Sequence, residues 1–138
     1  MYCVQCEQSN KGGCAVKIGS CGKTADVADM QDVLLRVMLG VSVYASRAAS
    51  AGARDAAVDA FTPYAWFTTL TNVNFDATRF TALIAEALAM RARAKALAES
   101  AGADLSDLPE PRHLEPGHDR LGAGRRRALR RHPALHGP

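Results

Sequence analysis

The sequence predicts an all-α protein: an N-terminal cysteine loop, a three-helix antiparallel bundle behind it, and a disordered C-terminal tail. Three observations carry this prediction. Apolar residues recur at three- and four-residue spacing through three segments between residues 24 and 102, which is the period of a helix face. Nothing alternates with period two over a useful length, so strands are not predicted. All four cysteines lie within the first 21 residues, whereas five of the six prolines lie after residue 102. The chain therefore divides into 1–23, 24–102 and 103–138.

Residues 1–23 show no apolar period and are punctuated by Gly12, Gly13, Gly19 and Gly22, so they read as loop. The first helix follows in KTADVADMQDVLLRVMLGVSVYASRAASAG. Val27, Met30, Leu34, Val37, Val41, Tyr44 or Ala45, and Ala48 define its buried face. Thr24 is its predicted N-cap, Asp26 and Asp29 sit where the helix dipole favours acids, and Gly52 is its predicted stop. Gly40 costs the helix interior about 1 kcal/mol relative to alanine, which points to close approach of another backbone. A second helix is expected from Asp55 to about Leu70, with Pro63 breaking its interior or starting its second half. Its bulky residues Phe61, Tyr64, Trp66 and Phe67 are expected to fill the core. TNVN reads as a turn with Asn74 as N-cap of a third helix, from Asp76 to about Ser100. That helix carries the stripe Phe80, Leu83 with Ile84, Ala87, Met90, Ala94 and Leu97. Arg91, Arg93 and Lys95 lie toward its C-terminal half, where the dipole favours cations, and Gly102 ends it.

The bulk composition suits one domain: 138 residues, 48% hydrophobic and 22% charged. Aromatic content is only 6%, so the core is expected to be aliphatic and alanine-rich. No run of about 18 apolar residues predicts a membrane span, and no basic stretch followed by an apolar one predicts a signal peptide. A cytoplasmic location is therefore expected, where thiols stay reduced and clustered cysteines serve as metal ligands or redox groups.

Residues 103–138 have a different composition. They hold seven arginines, no lysine, all four histidines and no aromatic residue, with six of the arginines after the last acid, Asp119. Such a segment is expected to stay disordered, because it buries too little apolar surface to offset the entropy of ordering. The absence of lysine and of stacking aromatics weighs against nucleic-acid binding. His113, His118, His132 and His136 lack the close paired spacing of metal ligands. Arginine, alanine, glycine, proline and histidine without lysine are also what GC-rich DNA yields in a shifted reading frame, so a frameshifted or prematurely ended reading frame is expected here.

The four cysteines follow C-x2-C-x7-C-x6-C at Cys3, Cys6, Cys14 and Cys21. Two residues between the first pair allow two thiolates on one metal centre. Lys11, Lys17 and Lys23 are interleaved through the loop and offset the charge of an anionic centre. Glu7 and Gln8 either support the loop or form a solvated turn. Three chemistries remain open on spacing alone. An iron–sulfur cluster fits four cysteines with irregular gaps. Tetrahedral zinc more often shows two tight pairs. Disulfides or redox thiols complete the set.

Longer motifs sharpen this. MYCVQCEQ, GGCAVKIGSCGKT, VADMQDVLL, GVSVYA and NFDATRFTALIAEALAMR resemble the N-terminal part of the hybrid cluster protein family, also called prismane protein or hydroxylamine reductase, from Met1 to about Gly102. The resemblance implies a helical N-terminal part, followed in the family by two Rossmann-like domains. It implies that Cys3, Cys6, Cys14 and Cys21 ligate a conventional cluster. The short second gap favours [4Fe-4S], and the six-residue last gap, similar to the other subgroup, keeps [2Fe-2S] as the alternative. The family's hybrid iron–sulfur–oxygen cluster takes its ligands from later domains, so it is not expected in this chain and no residue here is predicted to be catalytic. The implied function is the electron-relay part of a hydroxylamine reductase, which reduces hydroxylamine to ammonia and water; nitric oxide reduction is also ascribed to the family. The implied partner is an external electron donor, ferredoxin-like or an NADH-dependent reductase, with a small nitrogen compound as substrate only in a full-length form. The non-enzymatic alternatives are a free-standing iron–sulfur carrier or redox-sensing module, and a structural zinc module.

Overall fold

Thr24 caps the first helix as expected, with an extended backbone and its hydroxyl oxygen accepting from the Val27 N–H at 3.4 Å. From there α1 covers Ala25–Ser50, α2 covers Ala56–Thr68 and α3 covers Ala77–Ser100. These elements belong to a computed structural model that describes residues 2, 3, 5, 6, 13–70 and 73–108. Glu7, Gln8 and Lys11 lie outside the described residues, as do residues 109–138 with their histidines, their arginine run and the expectation of disorder. Among the described residues no strand occurs, and an isolated antiparallel bridge pairs Cys3 with Cys14.

Cross-contacts fix the direction of each helix. Gln31, early in α1, reaches the carbonyl of Thr69 just past α2. Tyr64, late in α2, accepts from Arg79 near the start of α3. Asp55, just before α2, meets Arg93 in the later half of α3. The chain therefore runs up, down and up, with α2 antiparallel to both neighbours and α1 sharing its most extensive interface with α3.

The core lies along that interface. Leu34, Val37, Met38 and Val41 of α1 are fully buried with Phe80, Ile84, Ala87 and Ala94 of α3. Each buried leucine, isoleucine or phenylalanine contributes about 1.5–3 kcal/mol relative to exposure. The buried alanines are small enough to let two helix backbones approach, and Gly40 is buried on α1. By length and composition alone α1 is apolar enough to cross a membrane, although Asp32 and Arg36 interrupt any continuous apolar run. In the structure its apolar face is the middle of the bundle core.

Several expectations need correction. The second helix runs through Pro63 without a break. Proline removes one bond, to the carbonyl of Asp59, but both residues are exposed, which leaves that carbonyl open to solvent. Of the bulky residues of α2, Phe61 is buried and Trp66 packs half-buried on the core, whereas Tyr64 and Phe67 are 40% and 58% exposed. The face of α2 that meets the bundle is Val58, Phe61, Ala65 and Thr68, and Phe67 points away from it. Tyr64 instead packs edge-on against Phe61. The cap of α3 is Asp76 and not Asn74: the Asp76 carboxylate accepts from the Thr78 N–H at 2.8 Å. Asn74 forms a preceding turn, its side chain accepting from the Asp76 N–H at 3.0 Å. The last turn of α3 carries no basic residue, and Arg93 serves an ion pair with Asp55.

Both long helices end alike. Gly52 and Gly102 take positive φ, 82° and 68°, where a side chain is disfavoured. Each is followed by the closing bond of the motif, Ala53 N–H to Ala48 O at 2.9 Å and Ala103 N–H to Ala98 O at 3.0 Å. The chain then folds back rather than leaving the bundle at residue 103. Leu105 and Leu108 pack against the core, and Arg47 Nη2 donates to both carboxylate oxygens of Asp107 at 2.7 and 2.6 Å. Two leucines three residues apart supply this anchor, which is too short to register as a helical period.

Candidate metal centre

The thiol loop sits at the end of the bundle where α1 begins and α2 ends. Cys3 N–H donates to Cys14 O at 3.1 Å, and Cys14 N–H donates to Cys3 O at 2.7 Å. This bridge places the two cysteines side by side across the loop. Tyr2 lies over Gly13 so closely that a Cβ there would stand 2.9 Å from the tyrosine ring. Cys21 lies in a turn closed by Gly22 N–H to Gly19 O and Gly19 N–H to Lys23 O, both 2.8 Å. All four cysteines are free thiols and half-buried.

Lys23 joins this loop to the bundle. Its side chain is only 2% exposed. The ammonium donates to Gln31 Oε1 at 2.5 Å and stands 3.7 Å from Cys3 Sγ. Gln31, itself buried, donates from Nε2 to Thr69 O at 3.2 Å. Lys17 is exposed. Thus, of the two loop lysines that are described, one is placed against a cysteine sulfur.

Of the predicted ligands, the structure brings Cys3 and Cys14 together through their backbones. Among the described residues no three His, Cys, Asp or Glu side chains are gathered as a ligand group. Cys6 and Cys21 share the loop without being drawn up with that pair. The donor chemistry nonetheless fits a thiolate-held group: four free, soft sulfur donors on one loop, with a cation beside one of them. Gln31 and Thr69 are the residues that sequence reasoning missed. Gln31 carried a signal, since it is four residues after Val27 and next to Met30, a polar side chain on an otherwise apolar face. Thr69 carried none, because its backbone carbonyl does the work.

Comparison with known proteins agrees with the motifs. The chain is 44% identical to a hydroxylamine reductase of Burkholderia lata over 130 residues, covering 88% of this chain and 23% of the relative. It is 46% identical to the hydroxylamine reductase of Acidithiobacillus ferrooxidans over 114 residues, covering 80% of this chain and 20% of the relative. An Enterobacter hydroxylamine reductase is 41% identical over 132 residues, covering 93% and 24%. The chain thus spans about a quarter of the length of these curated relatives. A model of the Prismane/CO dehydrogenase family matches residues 1–130. The family match therefore extends past Gly102, where the sequence motifs placed the end of the resemblance. Matched over residues 1–130 of its 138, the chain belongs to the Prismane/CO dehydrogenase family.

Proposed function

We propose that this chain is the electron-relay part of a hydroxylamine reductase, holding one iron–sulfur cluster through Cys3, Cys6, Cys14 and Cys21. The observation that carries this most is the set of four free thiols on one loop braced against the end of the bundle, in a family that implies iron–sulfur chemistry. When bound, such a cluster supplies one-electron carriage. Four cysteines suit either a [4Fe-4S] or a [2Fe-2S] cluster; the short second gap favours [4Fe-4S], and [2Fe-2S] is the alternative. The protein's own part is to present four sulfur donors, to hold the Cys3 and Cys14 backbones in register, and to keep the donors half-buried so that an electron can enter from a partner.

In the reaction by which the relatives are named, hydroxylamine takes up two electrons and two protons, its N–O bond breaks, and ammonia and water leave. The electrons come from an external donor, a ferredoxin-like protein or an NADH-dependent reductase. No residue of this chain has a catalytic role in that step. A cytoplasmic location, where the thiols stay reduced, is part of the same proposal.

The test is anaerobic reconstitution of the chain with ferrous iron and sulfide. Metal and sulfide are then analysed, EPR spectra are recorded after dithionite reduction, and hydroxylamine turnover is assayed. The expected result is a reducible cluster with no turnover by this chain alone. Stoichiometric zinc with neither iron nor sulfide would replace the proposal with a structural zinc module. Turnover by the chain alone would place catalytic ligands within it and overturn the relay role.

A further inference from the structure

Among the described residues no other lysine or arginine is buried as Lys23 is. A buried ammonium is costly unless hydrogen bonds and an opposite charge match it. Gln31 Oε1 supplies a hydrogen bond at 2.5 Å but no charge. Among the described residues, the ammonium also stands 3.7 Å from Cys3 Sγ. Metal-ligating cysteines are thiolates, so a loaded loop supplies the missing negative charge at that sulfur. The carboxamide of Gln31 is held from both ends, its oxygen by Lys23 and its nitrogen by the Thr69 carbonyl. The chain of contacts therefore runs from the Cys3 sulfur, through one cation and one amide, to the C-terminal end of α2.

We propose that Lys23 is a positioning residue that also sets the potential of the centre. Its buried ammonium, held by Gln31 against Thr69, fixes the Cys3 sulfur on the bundle and raises the reduction potential of the cluster that the loop holds. This rests on the iron–sulfur function proposed above. The direction follows from electrostatics. Reduction adds negative charge, and a fixed positive charge in a buried setting stabilises the reduced form.

Two measurements on the 138-residue chain test it. The first uses the metal-free protein and follows amide hydrogen exchange. In Lys23→Met, an apolar replacement of similar length, the Cys3 and Cys14 amides should lose tenfold or more of their protection while those of α1 and α3 keep theirs. Gln31→Met, which leaves the ammonium and removes its holder, should lose that protection too. The second uses the reconstituted protein and follows reduction by EPR-monitored titration. Lys23→Met should shift the reduction equilibrium at least tenfold toward the oxidised form, which is about 59 mV lower for one electron. Lys23→Arg, which keeps the charge, should recover most of the shift. Unchanged exchange at Cys3 and Cys14, or a wild-type potential in Lys23→Met, would overturn the proposal. If the wild-type chain takes up no iron and sulfide, the iron–sulfur reading fails on its own, and the exchange comparison still decides whether Lys23 holds the loop.

Discussion

Between Ala25 and Ser100 the chain is held by repeated apolar contact: α1 and α3 bury one stripe against the other over most of their length, with α2 closing the side. Between Tyr2 and Lys23 it rests on hydrogen bonds, among them the paired bonds of Cys3 and Cys14, the turn at Gly19–Lys23 and one buried lysine. Apolar burial is non-directional and redundant, so the bundle tolerates loss of any one loop residue. Hydrogen bonds contribute little each and depend on geometry, so the loop depends on what it touches. What it touches is the bundle's end at Gln31 and, if the proposed function holds, the group its thiols bind. The bundle should therefore be stable without the loop's chemistry, and the loop should not be ordered without the bundle.

The largest effect expected is on the bundle itself. Phe80→Ala removes a fully buried ring and should cost about 3–5 kcal/mol, a large share of the roughly 5–15 kcal/mol of a typical domain. Urea unfolding followed by circular dichroism at 222 nm measures it, and the Cys3–Cys14 bridge should be lost in the same transition. A loop that stays ordered after the bundle unfolds would show that it does not depend on the helices.

Next comes the acid limb of stability. The Asp55 carboxyl is held below its usual range, first by the hydrogen bond from Arg93 and then by the Val58 and Ala57 N–H groups, against a partial opposing effect of burial. A lowered value in the folded state stabilises the fold above the ordinary carboxylate value of 3.8 and loses that contribution as pH falls through the lower, folded value. Asp55→Asn keeps a capping side chain and removes the charge. Its melting temperature should lie below wild type near neutrality and converge with it as pH falls below the ordinary carboxylate value of 3.8. Parallel curves would show that Asp55 acts by capping alone.

Smaller still is the effect of a loop cysteine on the bundle. Cys21→Ser in the metal-free chain should move unfolding by no more than about 0.5 kcal/mol, because Cys21 is half-buried in a turn outside the core. A larger loss would mean that loop and bundle form one cooperative unit. Arg47→Ala sits at a similar scale: the pair with Asp107 is exposed on both sides and should be worth about 0.2–1 kcal/mol. Proteolysis after Leu105 should report its loss more sensitively than global unfolding does.

What was legible in the sequence follows the same division. In α1 and α3 a single apolar stripe meets a single partner face, so Leu34, Val37, Phe80 and Ile84 declared themselves by spacing. In α2 four bulky residues fall within seven positions, and spacing alone does not say which side faces inward; Phe67 therefore looked like core and is exposed. Pro63 looked like a break because local sequence does not reveal that its position faces water. The cysteines stand out in the sequence by their clustering, but their arrangement does not. The nearest pair in sequence, Cys3 and Cys6, is not the pair that the backbone joins, which is Cys3 and Cys14. The link from Lys23 to Gln31 and on to Thr69 spans 8 and then 38 residues, and no local pattern encodes contacts of that reach.

The most direct test of the central claim is the iron and acid-labile sulfide content per chain, measured after anaerobic reconstitution on the wild type and on the four single variants Cys3→Ser, Cys6→Ser, Cys14→Ser and Cys21→Ser. If these four residues together hold one [4Fe-4S] cluster, the wild type should carry about four iron and four sulfide per chain, and each variant should lose most of both while keeping its helical circular dichroism. Wild-type iron and sulfide retained in any of the four variants, or a metal content of zinc alone, would contradict it.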